Sequence, residues 1–523
     1  MLNGRVVPAS FAPFLRRTVP LCLLLAVATA GRAADGVISD VRRFGAVGDG
    51  QLHRVSEWIE AGRFRNLRAL QKQFPFVDST DWSVDEVAFV LAKESLPPEG
   101  GTIHFPAGHY VSGRYPWRIW RSHVRLTGDG ADRTTLSTAP GIDDGLSVAP
   151  YRHAGWREGA NREYPFSGDS GRAGDRRIRL ARAEWTEEFK PGELVFVRNG
   201  ANRFDQDYGE FNEVEAVEPG GILRLKHALA RDYTLESVNW AAEVAEAFQL
   251  PKPNGEVDVK IRTGEGFFTP PERCVVTIGE NVFRVRKAWR DTLILQNRGR
   301  ANAPRGTVIP AGEKIAKSRT ILKLTRSTRD FRCENLTIVG RRKAVNISNS
   351  YEVAFADCVF IRDLREGGFT GGLTIDGDGG RFARFDRCEV IARPAVGMQF
   401  ARSFGDVEFI ACRFRDTNVA FTEFNFACTV VDSDFDVTGT PALQNVAIVG
   451  GSCGDLRLEG NRIKARGVRA IFDAVSDIHS QKHGSGGQVI LRGNRIETEK
   501  ATQVFPAAPP GRLVLEENHV QAD

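Results

Sequence analysis

The chain has 523 residues, of which 41% are hydrophobic and 26% charged, a composition typical of folded proteins and not of disordered or membrane-spanning chains. The formal charge is +5, but the first 34 residues carry four arginines and no acid, so the remaining chain falls to +1. A nearly neutral protein is not expected to attract nucleic acid through its overall charge.

The N-terminus has the pattern of an export signal. Arg16 and Arg17 precede an apolar run at 21–30, and the small residues 28–30 suit cleavage. The alternative is a membrane anchor, but the run is short for a bilayer span. We therefore predict a cleaved signal at 1–34 and a periplasmic or secreted protein. Cys22 leaves with the signal, so seven of eight cysteines stay, an odd number that leaves at least one thiol unpaired.

The stretch "DVRRFGAVGDG" (40–50) predicts a strand that ends in a sharp turn, because Gly45, Gly48 and Gly50 tolerate backbone conformations that other residues avoid. Ser83, with Glu86 three residues later, predicts a capping box and a helix whose apolar side includes Val87. Residues 51–79 predict an additional amphipathic helix.

Three segments carry a resemblance to a known family. "FGAVGDG" (44–50), "GGTIHFPAGHYVSG" (100–113) and "HVRLTGDGADRTTL" (123–136) resemble, in the same order, the opening of the pectate-lyase-like, rhamnogalacturonase/epimerase-type right-handed parallel β-helix family. The resemblance implies an all-β solenoid with an N-terminal capping helix that covers the open end of the core. It also implies that an extended glycan binds along one sheet face.

Two segments precede the repetitive part of the chain. "NRFDQDYGEFNE" (202–213) lies in the region 35–250, which we assign to the cap and the first coils; Tyr208 and Phe211 there could stack on sugars or simply pack. Residues 251–318 have linker-like bounds and short alternating strands, so they predict an inserted small β module. The module could wall a cleft, pair subunits of an oligomer, or shield an edge.

The remaining chain, 319–523, is repetitive. Eight strand-like segments each end in a bend and a marker residue, with 21 to 33 residues between markers. This spacing and period-two alternation predict one coil of a parallel β-helix per repeat. The cysteine markers should stack as free buried thiols and the asparagine markers should bond along the stack. The marker column is Leu336, Cys358, Cys388, Cys412, Ser433, Asn461, Asn494 and Asn518.

Candidate site residues are polar positions that alternation directs outward. In "GGLTIDGDGG" (371–380) these are Thr374, Asp376 and Asp378. We predict a groove centred on 376–425. The catalytic candidates are Asp376, Asp378, Arg402 and Glu423. The substrate-binding candidates are Gln399, Asn425, Asp473, His479, Lys482, His483 and Tyr208.

Two reactions fit such residues. A polysaccharide lyase removes a proton beside a uronate carboxylate, and nearby acids could hold Ca²⁺ as a cofactor. A glycoside hydrolase needs two carboxyls, and Asp376 and Asp378 could stand about 7 Å apart on one strand, which suits inversion. Motifs of polygalacturonases and pectate lyases are absent. We favour a lyase acting on a uronic-acid polysaccharide, because basic and imidazole side chains accompany the acids; a noncatalytic glycan-binding or envelope protein is the other alternative.

Overall fold

A computed structural model describes seventeen segments of the chain, and every structural statement below concerns these residues. They are 37–149, 162–167, 170–199, 209–230, 232–233, 242–263, 275–289, 291–297, 302–317, 319–324, 327–363, 374–393, 398–438, 447–473, 488–500, 502–505 and 513–523. The predicted export signal lies outside them. Within the described segments, no helix combines the length and apolar character needed to cross a membrane.

A large parallel sheet of 14 strands runs through most of the described molecule. Strands from successive stretches of chain pair side by side with the same direction, as the repeat predicts. Its strands are Ile38–Asp40, Gly101–Phe105, Trp117–Ile119, Val124–Gly128, Asp144–Val148, Thr328–Glu334, Lys343–Ala356, Ile375–Asp386, Met398–Ile410, Val419–Val431, Ala447–Glu459, Ala470–Asp473, Val489–Arg492 and Leu513–Glu516.

A second parallel sheet of ten described strands completes each coil. Between the two sheets lies one continuous apolar core, which includes Phe355, Phe385 and Phe409 stacked on neighbouring coils. The strands are Gly108–Ser112, Thr134–Thr138, Thr337–Gly340, Val359–Asp363, Glu389–Arg393, Arg413–Arg415, Asp434–Thr438, Arg462–Arg466, Arg495–Thr498 and His519–Ala522. These two sheets together therefore form a stack of parallel β coils.

The marker column stacks coil on coil, which confirms that part of the sequence analysis. The carbonyl of Cys388 accepts from the backbone N–H of Arg413 on the next coil (2.8 Å), and the carbonyl of Cys412 accepts from Asp434 (2.9 Å). The residue just before each marker has a positive φ, for example 51° at Arg387 and 52° at Ala411. This left-handed residue makes the bend that shifts the alternation by one.

The two halves of the marker column are held by different contacts. Cys358, Cys388 and Cys412 are buried free thiols, as expected for side chains that point in parallel into the core. Farther along, Asn461 Nδ2 donates to Asn494 Oδ1 (3.0 Å), and Asn494 Nδ2 donates to Asn518 Oδ1 (2.8 Å). The same amides also donate to backbone carbonyls, so the asparagine prediction is confirmed.

In the N-terminal part the strand Ile38–Asp40 is followed by a 3-10 helix, Val41–Phe44, and the next turn contains Gly45, Gly48 and Gly50, all with positive φ. The α-helix Val84–Glu94 begins where predicted: the Ser83 hydroxyl accepts from the Glu86 N–H (3.0 Å). Its residues Val87, Phe89 and Val90 join the core of the coils. The Glu86 carboxylate does not complete the capping box, since it accepts from the backbone N–H groups of Gly113 and Arg114 instead.

Residues 51–79 differ from the single helix that was predicted. They form two short helices, Ser56–Glu60 and Leu67–Gln73, and the first helix ends in a turn at Ala61 and Gly62. Gly62 has a φ of 74°, which a right-handed helix cannot accommodate. The prediction of one continuous helix is therefore corrected.

The assignment of 35–250 to the cap and first coils also needs correction. Coil strands end at Val148 and resume at Thr328, and the strands on either side pair directly, as Leu126 does with Cys333. Between them the chain forms an antiparallel sheet of six described strands. These are Arg162–Pro165, Arg177–Arg179, Leu194–Asn199, Gly209–Glu218, Ile222–Leu225 and Arg319–Lys323. Alternation of period two is common to parallel and antiparallel strands, so the sequence pattern did not distinguish them.

The region of the predicted β module contains a closed antiparallel barrel with its own apolar core. Its first strand lies before residue 251. The barrel strands are Ala242–Val244, Glu256–Thr263, Val275–Ile278, Asn281–Ala288, Thr292–Asn297 and Lys314–Lys317, and a two-stranded ribbon pairs Phe248–Gln249 with Val308–Ile309. A 3-10 helix, Ala183–Glu188, precedes the third strand of the six-stranded sheet.

A buried ion cluster fastens the six-stranded sheet to the coils. Arg381, on a coil strand, bonds Asp406 (2.5 Å) and Glu210 of the sheet (3.2 Å). Glu210 is fully buried and also accepts from the Tyr233 hydroxyl (3.2 Å). Phe211, a candidate for sugar stacking, is buried beside Phe196 and packs in this interface instead.

The cluster yields a stability prediction. Replacing Arg381 by Met should destabilise the protein by about 3–5 kcal/mol, because Glu210 would stay buried without its cation. Arg384→Met on the same strand is the matched control; its side chain is half exposed and should change stability by at most about 1 kcal/mol. Urea denaturation of both variants measures the difference, and equal midpoints would contradict the anchoring role.

The buried carboxyl of Glu86 predicts a pH effect. Burial raises its pKa to about 7, so the folded protein holds a proton there that the unfolded chain, with an ordinary value of 4.5, releases. This contribution to stability is complete below pH 4.5 and is lost as the pH rises through about 7, an effect on the order of 3 kcal/mol.

Glu86→Gln should remove this pH dependence, because an amide has no proton to lose and can still accept the two backbone hydrogen bonds. The measurement is the free energy of unfolding at pH 5 and pH 8 for the wild type and the variant. Glu94→Gln, at an exposed position of the same helix, is the control. If the free energy of unfolding fell equally between pH 5 and pH 8 in the wild type and in Glu86→Gln, Glu86 would not be the group responsible.

Candidate functional site

One side of the coil stack presents a row of outward positions in strict register. We call this side the groove face; it consists of segments 117–119, 144–148, 343–348, 375–378, 398–401, 419–421, 447–451 and 470–473. We call this register the polar row, although Ala420 and Gly450 carry no polar side chain. Its members are Arg118, Ser147, Asn346, Asp376, Gln399, Ala420, Gly450 and Asp473. Of the members whose side chains the structure describes, Ser147 and Asn346 are buried by neighbouring chain, and Arg118 and Asp376 are partly exposed.

The neighbouring positions on each strand point into the core and fix this register. Leu146, Val345, Ile375 and Met398 are each fully buried and lie on consecutive coils. Because side chains alternate along a strand, Ser147, Asn346 and Asp376, which follow the first three of them, face away from the core. A strand slip by one residue would bury the charged Asp376, so the apolar core holds the row in place.

An ion pair lies at the centre of the row. Lys343 Nζ is 2.6 Å from the Asp376 carboxylate, and Asn346 Nδ2 donates to the Asp144 carboxylate (3.3 Å). Burial lowers the pKa of Lys343, but the Asp376 and Asp144 carboxylates raise it by more, so the net shift is upward. Lys343 is therefore a cation at neutral pH and is not suited to act as a base.

The structure places some of the predicted site residues on adjacent coils. Asp376 and Gln399 are register partners, and the Asp378 backbone pairs with Ala401. Asp473 stands four coils from Asp376, about 19 Å at the usual strand spacing, so the two cannot act on one bond. Thr374 was predicted to face outward, but it is fully buried.

Arg402 and Glu423 lie at irregularities in the strands. The pairing of strands Ile375–Asp386 and Met398–Ile410 shifts register between Asp378 and Gly380, and Arg402 lies on the partner strand at that point. The pairing of strands Val419–Val431 and Ala447–Glu459 shifts between Phe421 and Asn425, the stretch that contains Glu423. β-Bulges often re-aim side chains near functional sites. Side-chain positions of Asp378, Gln399, Arg402, Glu423, Asn425 and Asp473 lie outside what the structure describes, as do the residues Tyr208, His479, Lys482 and His483 altogether.

Sequence reasoning missed Lys343, Asp144 and Asn346. The repeat could have identified one of them. Asp376 lies twelve residues before the marker Cys388, and Asn346 lies twelve residues before the marker Cys358, so the two occupy equivalent positions on neighbouring coils. No local signal links Lys343 to Asp376, since 33 positions separate them and only the stacking of coils brings them together. Among the described residues, no group of three or more His, Cys, Asp or Glu side chains could hold a metal ion.

Comparisons with known proteins give structural similarity without sequence similarity. No family model matches the chain, and no curated protein matches its sequence. A tailspike protein of Pseudomonas phage phi297 superposes over 93% of this chain and 75% of its own, with 16% identity and a TM-score of 0.40.

Two further solved structures are similar in the same loose sense. A tailspike of Pseudomonas phage LKA1 matches over 92% of this chain and 83% of its own, at 14% identity and a TM-score of 0.35. The A-module of an Azotobacter vinelandii mannuronan C-5 epimerase matches over 93% of this chain and 96% of its own, at 10% identity and a TM-score of 0.33. Similarity at this level does not assign an activity to the present chain.

Proposed function

We propose that this protein is an exported carbohydrate-active enzyme that binds an acidic polysaccharide along the groove face and cleaves it by β-elimination. The observation that supports this most is the Lys343–Asp376 pair within a row of outward polar positions on successive coils. Register partners stand about 4.8 Å apart, so an extended chain molecule laid along the row can contact several coils at once.

The reaction would use the residues as follows. Lys343 neutralises the uronate carboxylate, which makes the proton on the adjacent carbon easier to remove. Arg402, at its bulge one coil beyond Asp376, is the candidate base that takes this proton, which requires its guanidine to be neutral when the substrate is bound. The electron pair left on carbon forms a double bond, and the glycosidic oxygen departs with its electrons. Asp376 keeps Lys343 protonated and oriented, and Glu423 would hydrogen-bond the sugar.

The second candidate function is glycoside hydrolysis. Asp376 and Asp378 are two residues apart on one strand, and their spacing of about 7 Å falls within the range of inverting enzymes. Here Asp376, paired with Lys343, would be the base that activates water, and Asp378 the acid. A noncatalytic glycan-binding protein remains the third candidate, and the activity test below distinguishes all three.

Several finer features belong to the same proposal. We propose right-handed coils, since parallel crossovers almost always have that hand, and hence a relation to the pectate-lyase-like β-helix family. Gln399, Asn425 and Asp473 would bind sugars along the row, with Tyr208, His479, Lys482 and His483 contributing from its surroundings. Export would follow removal of residues 1–34. A loss of activity with EDTA that Ca²⁺ restores would assign a calcium cofactor.

The test is cleavage of a panel of uronic-acid polysaccharides by the purified mature protein. A lyase leaves an unsaturated uronate that absorbs in the near ultraviolet, and Lys343→Met or Arg402→Ala should reduce its formation by about 10²–10⁴-fold, as loss of a catalytic group does. Lys464→Met, at an exposed position on the ten-stranded sheet, is the matched control and should stay fully active.

Other outcomes separate the alternatives. New reducing ends without absorbance, lost in Asp376→Asn and Asp378→Asn, would support the hydrolase and overturn elimination. Binding without any product would support the noncatalytic protein. Full activity in Lys343→Met, Arg402→Ala and Asp376→Asn together would show that the chemistry lies away from the groove face.

A further inference from the structure

A basic cleft lies on the six-stranded sheet, away from the groove face. It encloses about 400 Å³ and is lined by Ser170, Asp175, Arg176, Arg177, Arg179 and Ile222. The cleft lies between the turn that precedes strand Arg177–Arg179 and the neighbouring strand Ile222–Leu225. None of the groove-face residues takes part in it.

Two of its arginines are held in place by the protein. Arg176 donates to the Glu215 carboxylate (3.0 Å) and to the carbonyls of Leu225 (3.1 Å) and Lys226 (2.7 Å). Arg177 Nε donates to the Glu218 carboxylate (2.9 Å). These contacts pre-orient both guanidinium groups, so little side-chain freedom would be lost when a ligand binds.

The third arginine is differently placed. Arg179 is exposed, and among the described residues its guanidinium makes no ion pair or hydrogen bond. The single acid that lines the cleft, Asp175, is already engaged, because it accepts from the backbone N–H groups of Gly171 (3.2 Å) and Arg172 (2.8 Å). Arg179 is therefore the cation that a ligand would meet.

The charge around the cleft has a positive surplus. The arginines are Arg172, Arg176, Arg177, Arg179 and Arg224, against the acids Asp175, Glu215 and Glu218. Guanidinium groups bind planar carboxylates and tetrahedral sulfate or phosphate groups through paired hydrogen bonds. A surplus of two positive charges beside a concave surface favours an oxyanion over a neutral ligand.

We propose that this cleft is a second binding site, on the inserted sheet, for an oxyanion carried by an acidic saccharide. That the ligand carries an oxyanion is inferred from the arginines. That this oxyanion belongs to a saccharide rests on the proposed function. Such a site would hold a polysaccharide at a second point, outside the groove face, and would contribute to affinity without taking part in bond cleavage.

The experiment is calorimetric titration of the mature protein with an oligogalacturonate, a neutral malto-oligosaccharide and sodium sulfate. To isolate the cleft from the groove, the titration is done in the Lys343→Met background. Oligogalacturonate should bind there, Arg179→Gln should weaken this binding about tenfold or more, and sulfate should compete. The neutral sugar should not bind.

Arg262→Gln is the matched control, since Arg262 is an exposed arginine on the barrel and far from the cleft in sequence. Equal binding by the Arg179→Gln and Arg262→Gln variants would overturn the cleft assignment. Sulfate binding without oligogalacturonate binding would overturn the saccharide assignment. Cleavage activity is read separately: cleft binding in a protein that cleaves nothing would refute the proposed enzyme and leave the cleft intact.

Discussion

The hydrogen bond that a marker carbonyl accepts from the next coil is the contact on which the rest of the molecule depends. The Arg413 N–H donates to the Cys388 carbonyl, and the Asp434 N–H donates to the Cys412 carbonyl. This contact recurs at the same phase of successive coils and fixes which residues face the core. The core in turn determines which residues face away from it. The stacked cysteine markers, the bonded asparagine markers and the polar row are therefore consequences of one register.

The register also explains how the chain tolerates a long insertion. The described strands between Val148 and Thr328 lie outside the stack, and the coil strands on either side of them pair directly with each other. The inserted sheet is fixed to the stack at Arg381 and Glu210, in a buried contact that solvent cannot screen. The groove face and the basic cleft then lie on separate units of one chain, so the two proposed binding sites can be altered independently.

The sequence was informative where a feature repeats locally, and much less so where contacts are long-range. Marker spacing predicted the parallel coils, and Ser83 marked the helix start correctly. Alternation could not separate the antiparallel strands of the insertion from coil strands, nor could it show that Thr374 is buried. For the candidate site, Asp376 was predicted to face outward, but its partner Lys343 is close only through the stacking of coils.

We propose that an acidic polysaccharide lies along the groove face, parallel to the coil stack. A crystal structure of the mature Arg402→Ala variant soaked with an oligogalacturonate tests it most directly. The expected result is sugar units that follow Asp376 and Gln399 from coil to coil, with one uronate carboxylate at Lys343. An oligosaccharide bound across the ten-stranded sheet, with the groove face bare, would contradict it.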